Sequence, residues 1–283
     1  MSNGERLWEK LDNIPSPIYY GLLAIIVTAV LIRPIGLPID VSSETRRFYE
    51  AVDKLPKDAL VYVEVAMLPA DAGENAPFLI ALAHHLFSRP VRIVFLTFDE
   101  DGFYMYMKYV EEAVDPQKVY GRVYGRDYVF LGFLASPIPT MAAMAKDLFF
   151  PRVDYKGTPL SQLDVMKGAK DVRDIAMLVA VTGAHRTLGQ NWVQQWVEPY
   201  GAPRYLVCAT AMTLPTLKPF YGKGMIEVLV SGAVAAGEYE LLIRKPGRGL
   251  MSSDAISLAH MLIITFILLG NIGYLGKRRK GRV

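Results

Sequence analysis

The chain of 283 residues has little cysteine: Cys208 stands alone. A disulfide scaffold is thereby excluded, and any stable domain must be held by an apolar core. Histidine is scarce as well, with four in all. The adjacent pair His84 and His85 lacks the i, i+4 spacing that brings two imidazoles onto one metal ion, so one is expected in the core and the other facing solvent. No metal site and no cofactor is expected. Net charge is low, +3 over the whole chain, and the C-terminal tail carries a concentrated share of it. The remainder is close to neutral, without the basic footprint of a nucleic-acid-binding protein. The chain also has no G-x-G-x-x-G after a strand, no G-x-S-x-G elbow, no C-x-x-C, no internal repeat and no low-complexity tract. The nearest approach to a phosphate loop, "SGAVAAGEY", puts Glu238 and Tyr239 where Lys and Ser or Thr are required. A carboxylate there repels phosphate, and Gly232 and Gly237 read instead as points of close helix-to-sheet packing.

What the chain does have is two apolar runs, one near each end. The first, "PIYYGLLAIIVTAVLI" at 17–32, is followed by Arg33 and the still apolar "PIGLPI". The segment approaches the roughly 20 residues a bilayer requires if Arg33 snorkels outward. Glu5, Glu9 and Asp12 precede it and no small-x-small cleavage site follows, so an uncleaved anchor is expected rather than a signal peptide. The second, "AISLAHMLIITFILLGNIGYLG" at 255–276, has the length of a membrane-spanning helix, with Ser253 and Asp254 expected as its cap. Lys277, Arg278, Arg279, Lys280 and Arg282 lie immediately beyond it, a positive-inside signal that puts the C-terminus in the cytoplasm. Two spans return the N-terminus to the same side. The expected organisation is a short N-terminus with a first span at 1–39, an extracytoplasmic domain at 40–250, a second span at 251–276 and a basic cytoplasmic tail at 277–283.

Between the runs, strand and helix alternate. After an amphipathic helix in "SSETRRFYEAVDKLP", apolar strands are expected in "ALVYVEVAM", "VRIVFLTF", "DYVFLGF", "DIAMLVAVTG", "RYLVCAT" and "MIEVLVSG", with helices between them. Capping boxes are expected at Asp71–Glu74 and at Thr187–Gln190. One less regular insertion, "PRVDYKGTPLSQLDVMKGAKDV", breaks the rhythm. The pattern predicts an α/β fold: a doubly wound, mostly parallel, Rossmann-like sheet between two transmembrane helices, with functional loops at the carboxyl ends of the strands.

Candidate residues follow from that expectation. "TFDEDG" offers Asp99, Glu100 and Asp101 as an acid and base or as ligands for a hard cation such as calcium, although the spacing is not that of an EF-hand and a helix cap is an equally simple role. "TGAHRT" offers a hydroxyl, an imidazole and a guanidinium from Thr182, His185 and Arg186 beside a helix N-terminus, a place that favours anions; a tight turn at Gly183 with solvated side chains is the alternative. Thr210 stands at the end of the fifth strand. Within the second apolar run, His260 and Asn271 are polar groups expected to mark contacts with another helix or subunit.

The strings "DYVFLGF", "GTPLSQLDVMKGAKDVRDIAMLV" and "SGAVAAGEYELL" resemble those of uncharacterised prokaryotic membrane proteins in which two spans flank an α/β domain. The resemblance implies an extracytoplasmic Rossmann-like domain and assigns no catalytic residue. The expectation from the whole chain is a membrane-anchored binding or interaction domain, a subunit of an envelope assembly. Its partners would be membrane lipid and either further copies of itself or other membrane-protein subunits. The alternative is a membrane-bound enzyme acting on an envelope or lipid-linked substrate at the strand-end loops.

Overall fold

The computed structural model describes residues 14–33, 35–183 and 188–278. The chain divides into two compact units, one made of the segments to Pro38 and from Leu250, the other of Ile39–Gly249.

In the first unit, helix α1 (Ser16–Ile32) begins with a proline in its first turn and stops at Arg33, whose backbone is extended (φ −139°, ψ 97°). Arg33 precedes a proline in sequence, and the proline ring disfavours a helical residue before it. Residues 35–42 are non-helical, so the apolar "PIGLPI" does not lengthen the helix. At 1.5 Å per residue, 17 residues rise about 25 Å, below the roughly 30 Å of a hydrocarbon core. Among the described residues one helix rather than the expected two, Arg248–Gly276, is by itself long and apolar enough to cross a membrane, and α1 is a shorter apolar helix. That segment belongs to the long helix at Arg248–Arg278. Ser253 and Asp254 lie inside this helix and do not cap it. The Asp254 carboxylate instead accepts the backbone N–H groups of Ile35, Gly36 and Leu37 at 3.0, 2.8 and 3.0 Å.

The second unit opens with helix α2 (Ser43–Asp53), capped by Ser42, whose hydroxyl accepts from the Thr45 N–H. Strand β1 (Leu60–Ala66), helix α3 (Ala72–Ser88) and strand β2 (Arg92–Thr97) follow. Helix α4 (Gly102–Tyr106) widens into a π-turn at Met107–Glu112, so the single helix expected there is two pieces. Then come α5 (Pro116–Tyr120), β3 (Tyr128–Phe133), α6 (Pro137–Lys146), β4 (Met177–Thr182), α7 (Leu188–Trp192), β5 (Arg204–Ala209), α8 (Leu214–Gly222), β6 (Val228–Ser231) and α9 (Gly232–Leu242). The long helix at Arg248–Arg278 is α10.

All six strands pair in parallel in the order β3-β2-β1-β4-β5-β6. This is the doubly wound Rossmann-like order, and it reverses between β1 and β4. Alternation along β1 sends Val61, Val63 and Val65 to one face, with Phe48 of α2, Phe78 and Leu82 of α3 and Tyr239 of α9. Leu60, Tyr62 and Ala66 face the other side, with Met141 of α6, Trp192 of α7 and Leu217 of α8. The irregular insertion holds three short 3₁₀ turns. It contributes Leu160, Val165, Met166 and Val172 to that second core. Burial on both faces explains why the strands read as continuous apolar runs.

Helix α9 ends in a Schellman motif: the Arg244 N–H bonds the Leu241 carbonyl at 3.1 Å and the Lys245 N–H bonds the Glu240 carbonyl at 3.0 Å. Arg244 takes the left-handed conformation that this motif demands, at φ 56°. Glycine is the usual occupant, and an arginine there costs about 1 kcal/mol of backbone strain.

Candidate functional site at the carboxyl edge

In an open parallel sheet the place for a ligand is the crevice where the strand order reverses, outside the carboxyl ends of β1 and β4. The chain after β1 reads Met67-Leu68-Pro69-Ala70-Asp71-Ala72-Gly73-Glu74-Asn75. It brings two carboxylates to the start of α3. Asp71 is buried and its Oδ2 accepts the Leu68 N–H at 3.0 Å. Glu74 reaches the far side of the crevice, where its Oε2 accepts the Ala211 N–H at 3.0 Å. The capping box expected across these two residues does not form, because each is drawn to a partner outside the helix.

The end of β4 is tied down from both flanks. Asn75 donates through Nδ2 to the Thr182 carbonyl at 2.8 Å, and the Thr213 hydroxyl donates to the Gly183 carbonyl at 2.9 Å. Thr210 and Thr213 share a hydrogen bond between hydroxyls at 3.0 Å. Gly183 packs so closely on Asp71 that an added Cβ would overlap the carboxylate. Gly232, at the start of α9, packs in the same way on the Asn75 side chain and the Glu74 carbonyl. The expected close packing at this glycine is thus helix on helix rather than helix on sheet.

These contacts decide what the crevice can accept. A pyrophosphate seated at the N-terminus of α3 would meet Asp71 and Glu74, and the carboxylates would repel it where the helix alone would attract it. Comparison with protein-family models, with curated proteins and with solved structures finds no match for this chain.

One further group, within the sheet below this edge, carries chemistry that the sequence reading did not single out. Glu64 lies in the middle of β1 with 0% of its surface exposed. Its Oε2 accepts the Trp192 indole N–H at 2.6 Å, while its Oε1 has no hydrogen-bond partner. Burial pushes its pKa up to about 8, the indole N–H pulls against that, and the nearby Asp99 charge adds to the rise. At neutral pH the carboxyl is mostly protonated, the state in which burial costs least. The Tyr62 hydroxyl, two residues back on the same face, is also buried without a partner. The signal for Glu64 was present as the lone acid in "LVYVEVA".

The sequence candidates fall into distinct places. Asp99 is buried at the end of β2, where its N–H is held by the Thr97 hydroxyl at 3.0 Å, and Glu100 beside it is exposed. Asp101 makes no side-chain cap on α4. Thr182 and Thr210 are buried in the network that ties β4 to β5. His185 and Arg186, with Thr187 of the second capping box, lie outside the described residues. His260 and Asn271 are exposed on α10. Among the described residues no group of three or more His, Cys, Asp or Glu side chains could hold a metal ion. Of the histidine pair, His85 is buried, while His84, expected to face solvent, is half-buried with its Nδ1 2.9 Å from the Tyr120 hydroxyl. The His85 Nδ1 meets the Tyr239 hydroxyl at 2.8 Å, and its ring stacks on Tyr49 at 4.6 Å. Cys208 is buried, and desolvation raises its thiol pKa, which removes nucleophilic character.

Proposed function

We propose that the protein is a membrane-anchored interaction domain and a subunit of an envelope membrane assembly, with α1 and α10 crossing the bilayer as an antiparallel pair and Ile39–Gly249 on the outer side. The observation that carries the choice of an interaction domain over an enzyme is the carboxyl edge. The place where this fold binds small molecules is occupied by the chain's own Asp71, Glu74, Asn75 and Thr213.

The anchor is supported within the first unit. Asp254 near the start of α10 holds Ile35–Leu37 just past the end of α1. Tyr19 near the start of α1 meets Phe266 deep in α10, with ring centroids 5.8 Å apart. Contacts 19 to 266 and 35 to 254 run in opposite directions along the two helices, as in a hairpin. The length of α1 sits at the lower bound for a span. Along α10, Ile264, Ile267 and Leu268 are each 56% exposed, an apolar surface that needs lipid or another protein to cover it. The 277–282 tail orients the pair with both termini in the cytoplasm.

The alternative, a membrane-bound enzyme working on an envelope or lipid-linked substrate, is favoured by one observation. Glu64 has the raised pKa of a general acid and lies near Asp99 beside the switch point. Native mass spectrometry of the full-length protein, extracted gently from its own membrane, separates the two readings. A discrete oligomer or a co-purifying protein supports the assembly. A monomer retaining a small molecule that is lost on Glu64→Gln overturns it in favour of the enzyme.

A further inference from the structure

Away from the carboxyl edge, a cavity of about 400 Å³ lies between α3, the π-turn at Met107–Glu112 and the segment leading into α10. Its floor is apolar, from Pro77, Ile80 and Tyr109, and Lys108, Lys245 and Arg248 stand around it. Among the described residues none of these three cations forms an ion pair. The Lys108 ammonium lies 5.6 and 5.3 Å from the ring centroids of Tyr104 and Tyr109, and that of Lys245 lies 5.2 Å from Tyr120. The aromatic faces hold the two lysines without neutralising them. Two carboxylates share the cavity. That of Glu240 is buried and accepts the N–H groups of Gly247 and Gly249, both at 2.9 Å, and that of Glu112 is exposed. Positive charge is in excess.

We infer that this cavity binds a phosphate group carried on an apolar body, with Lys108, Lys245 and Arg248 as its ligands and the Pro77, Ile80 and Tyr109 floor against the hydrophobic part. Lysine and arginine are the side chains that take phosphate, and the apolar floor distinguishes an amphiphile from a bare ion. The chain leading into the cavity is itself cationic. Arg244 is kept at φ 56°, where glycine would cost less, and adds positive charge next to Lys245. His84, which also lines the cavity, has its pKa lowered to about 4 by burial and by the Lys245 charge, so it is neutral at pH 7 and the positive charge comes from the lysines and the arginine. Only six residues separate Arg248 from the apolar run that begins at Ala255. Even fully extended they reach no more than about 25 Å. The inference rests on the proposed anchor for its lipid source, a headgroup of the bilayer, and not for its phosphate chemistry.

The test uses full-length protein in a neutral maltoside detergent, titrated with monomeric dihexanoyl phosphatidylglycerol, dihexanoyl phosphatidylcholine or inorganic phosphate, with bound mass read by native mass spectrometry. One phosphatidylglycerol is expected to be retained, at least about tenfold tighter than phosphatidylcholine. Lys108→Ala and Lys245→Ala are each expected to weaken it by about tenfold, the effect of one charge-assisted hydrogen bond. A variant with the five basic tail residues neutralised should bind as wild type. Inorganic phosphate retained at the same lysines, without preference for the lipid, supports the phosphate chemistry and assigns a free source. No bound mass, or bound mass indifferent to both lysine substitutions, overturns the inference. Flotation with neutral phosphatidylcholine vesicles reads the anchor separately, so that loss of one does not mimic loss of the other.

Discussion

Replacing Glu64 by glutamine is expected to remove most of the alkaline instability of the Ile39–Gly249 unit. The carboxyl has an ordinary pKa of 4.5 and is raised to about 8 in the fold. Between those two values the folded state holds a proton that the unfolded state has lost. Stability from this group is therefore complete below pH 4.5, falls as pH rises, and is flat above about pH 8. The slope is about 1.4 kcal/mol per pH unit, so the wild type loses about 4 kcal/mol between pH 5 and pH 8. That is a large fraction of the roughly 5–15 kcal/mol that holds a domain together. His84 and His85 work in the opposite direction. Burial lowers both their pKa values, so stability they contribute is present above pH 6.5 and lost on acidification. The window from pH 6.5 to 8 is accordingly the one in which Glu64 acts unopposed by them, with a loss of about 2 kcal/mol. Glutamine keeps an acceptor for the Trp192 indole and carries no titratable proton, so it removes the slope. Urea unfolding of the full chain in maltoside micelles, followed by the fluorescence of the buried Trp192 and Trp196, measures it. A wild-type minus E64Q difference that stays constant to within about half a kcal/mol from pH 5 to pH 8 would refute the buried-acid account.

Two further expectations probe the carboxyl edge and the approach to α10. Gly183→Ala forces a methyl group into the Asp71 carboxylate and is expected to destabilise by about 2–3 kcal/mol in the same assay, with partial recovery in a Gly183→Ala, Asp71→Ala double variant. No recovery would mean that the cost does not come from this contact. Arg244→Gly relieves a left-handed arginine in the Schellman motif and is expected to raise the unfolding free energy by about 1 kcal/mol. A loss of stability would show that the guanidinium contributes more than the strain costs.

The sheet was legible because each strand is buried on both faces and so writes itself as an apolar run with turns at its ends. The exact strand order was not legible, because the same alternation of strand and helix fits more than one doubly wound order. The edge was not legible, because its contacts join residues far apart in sequence. Nothing near Asp71 indicates that its carboxylate will pack on Gly183, and nothing near Glu74 points to the Ala211 N–H. Local rules assigned both acids to a capping box, and tertiary partners took them instead. Helix ends were misplaced for a related reason: hydropathy continues through 35–37, but the proline after Arg33 ends the helix, and α10 starts at Arg248 well before its apolar run. Glu64 was visible as a lone acid in an apolar strand and still missed, since periodicity alone gives no sign of an indole waiting on the facing helix.

The central claim, that α10 crosses the membrane with Ile39–Gly249 proposed outside the cytoplasm and the basic tail inside, is tested most directly by thiol labelling in intact cells. The native Cys208 is buried and stays silent in the folded protein. Single variants Lys57→Cys, on the central unit, and Lys280→Cys, in the basic tail, are exposed to a membrane-impermeant maleimide before and after the membrane is opened. The account predicts that position 57 labels in intact cells and position 280 only after permeabilisation. Labelling of both positions in intact cells, or of neither, would contradict it.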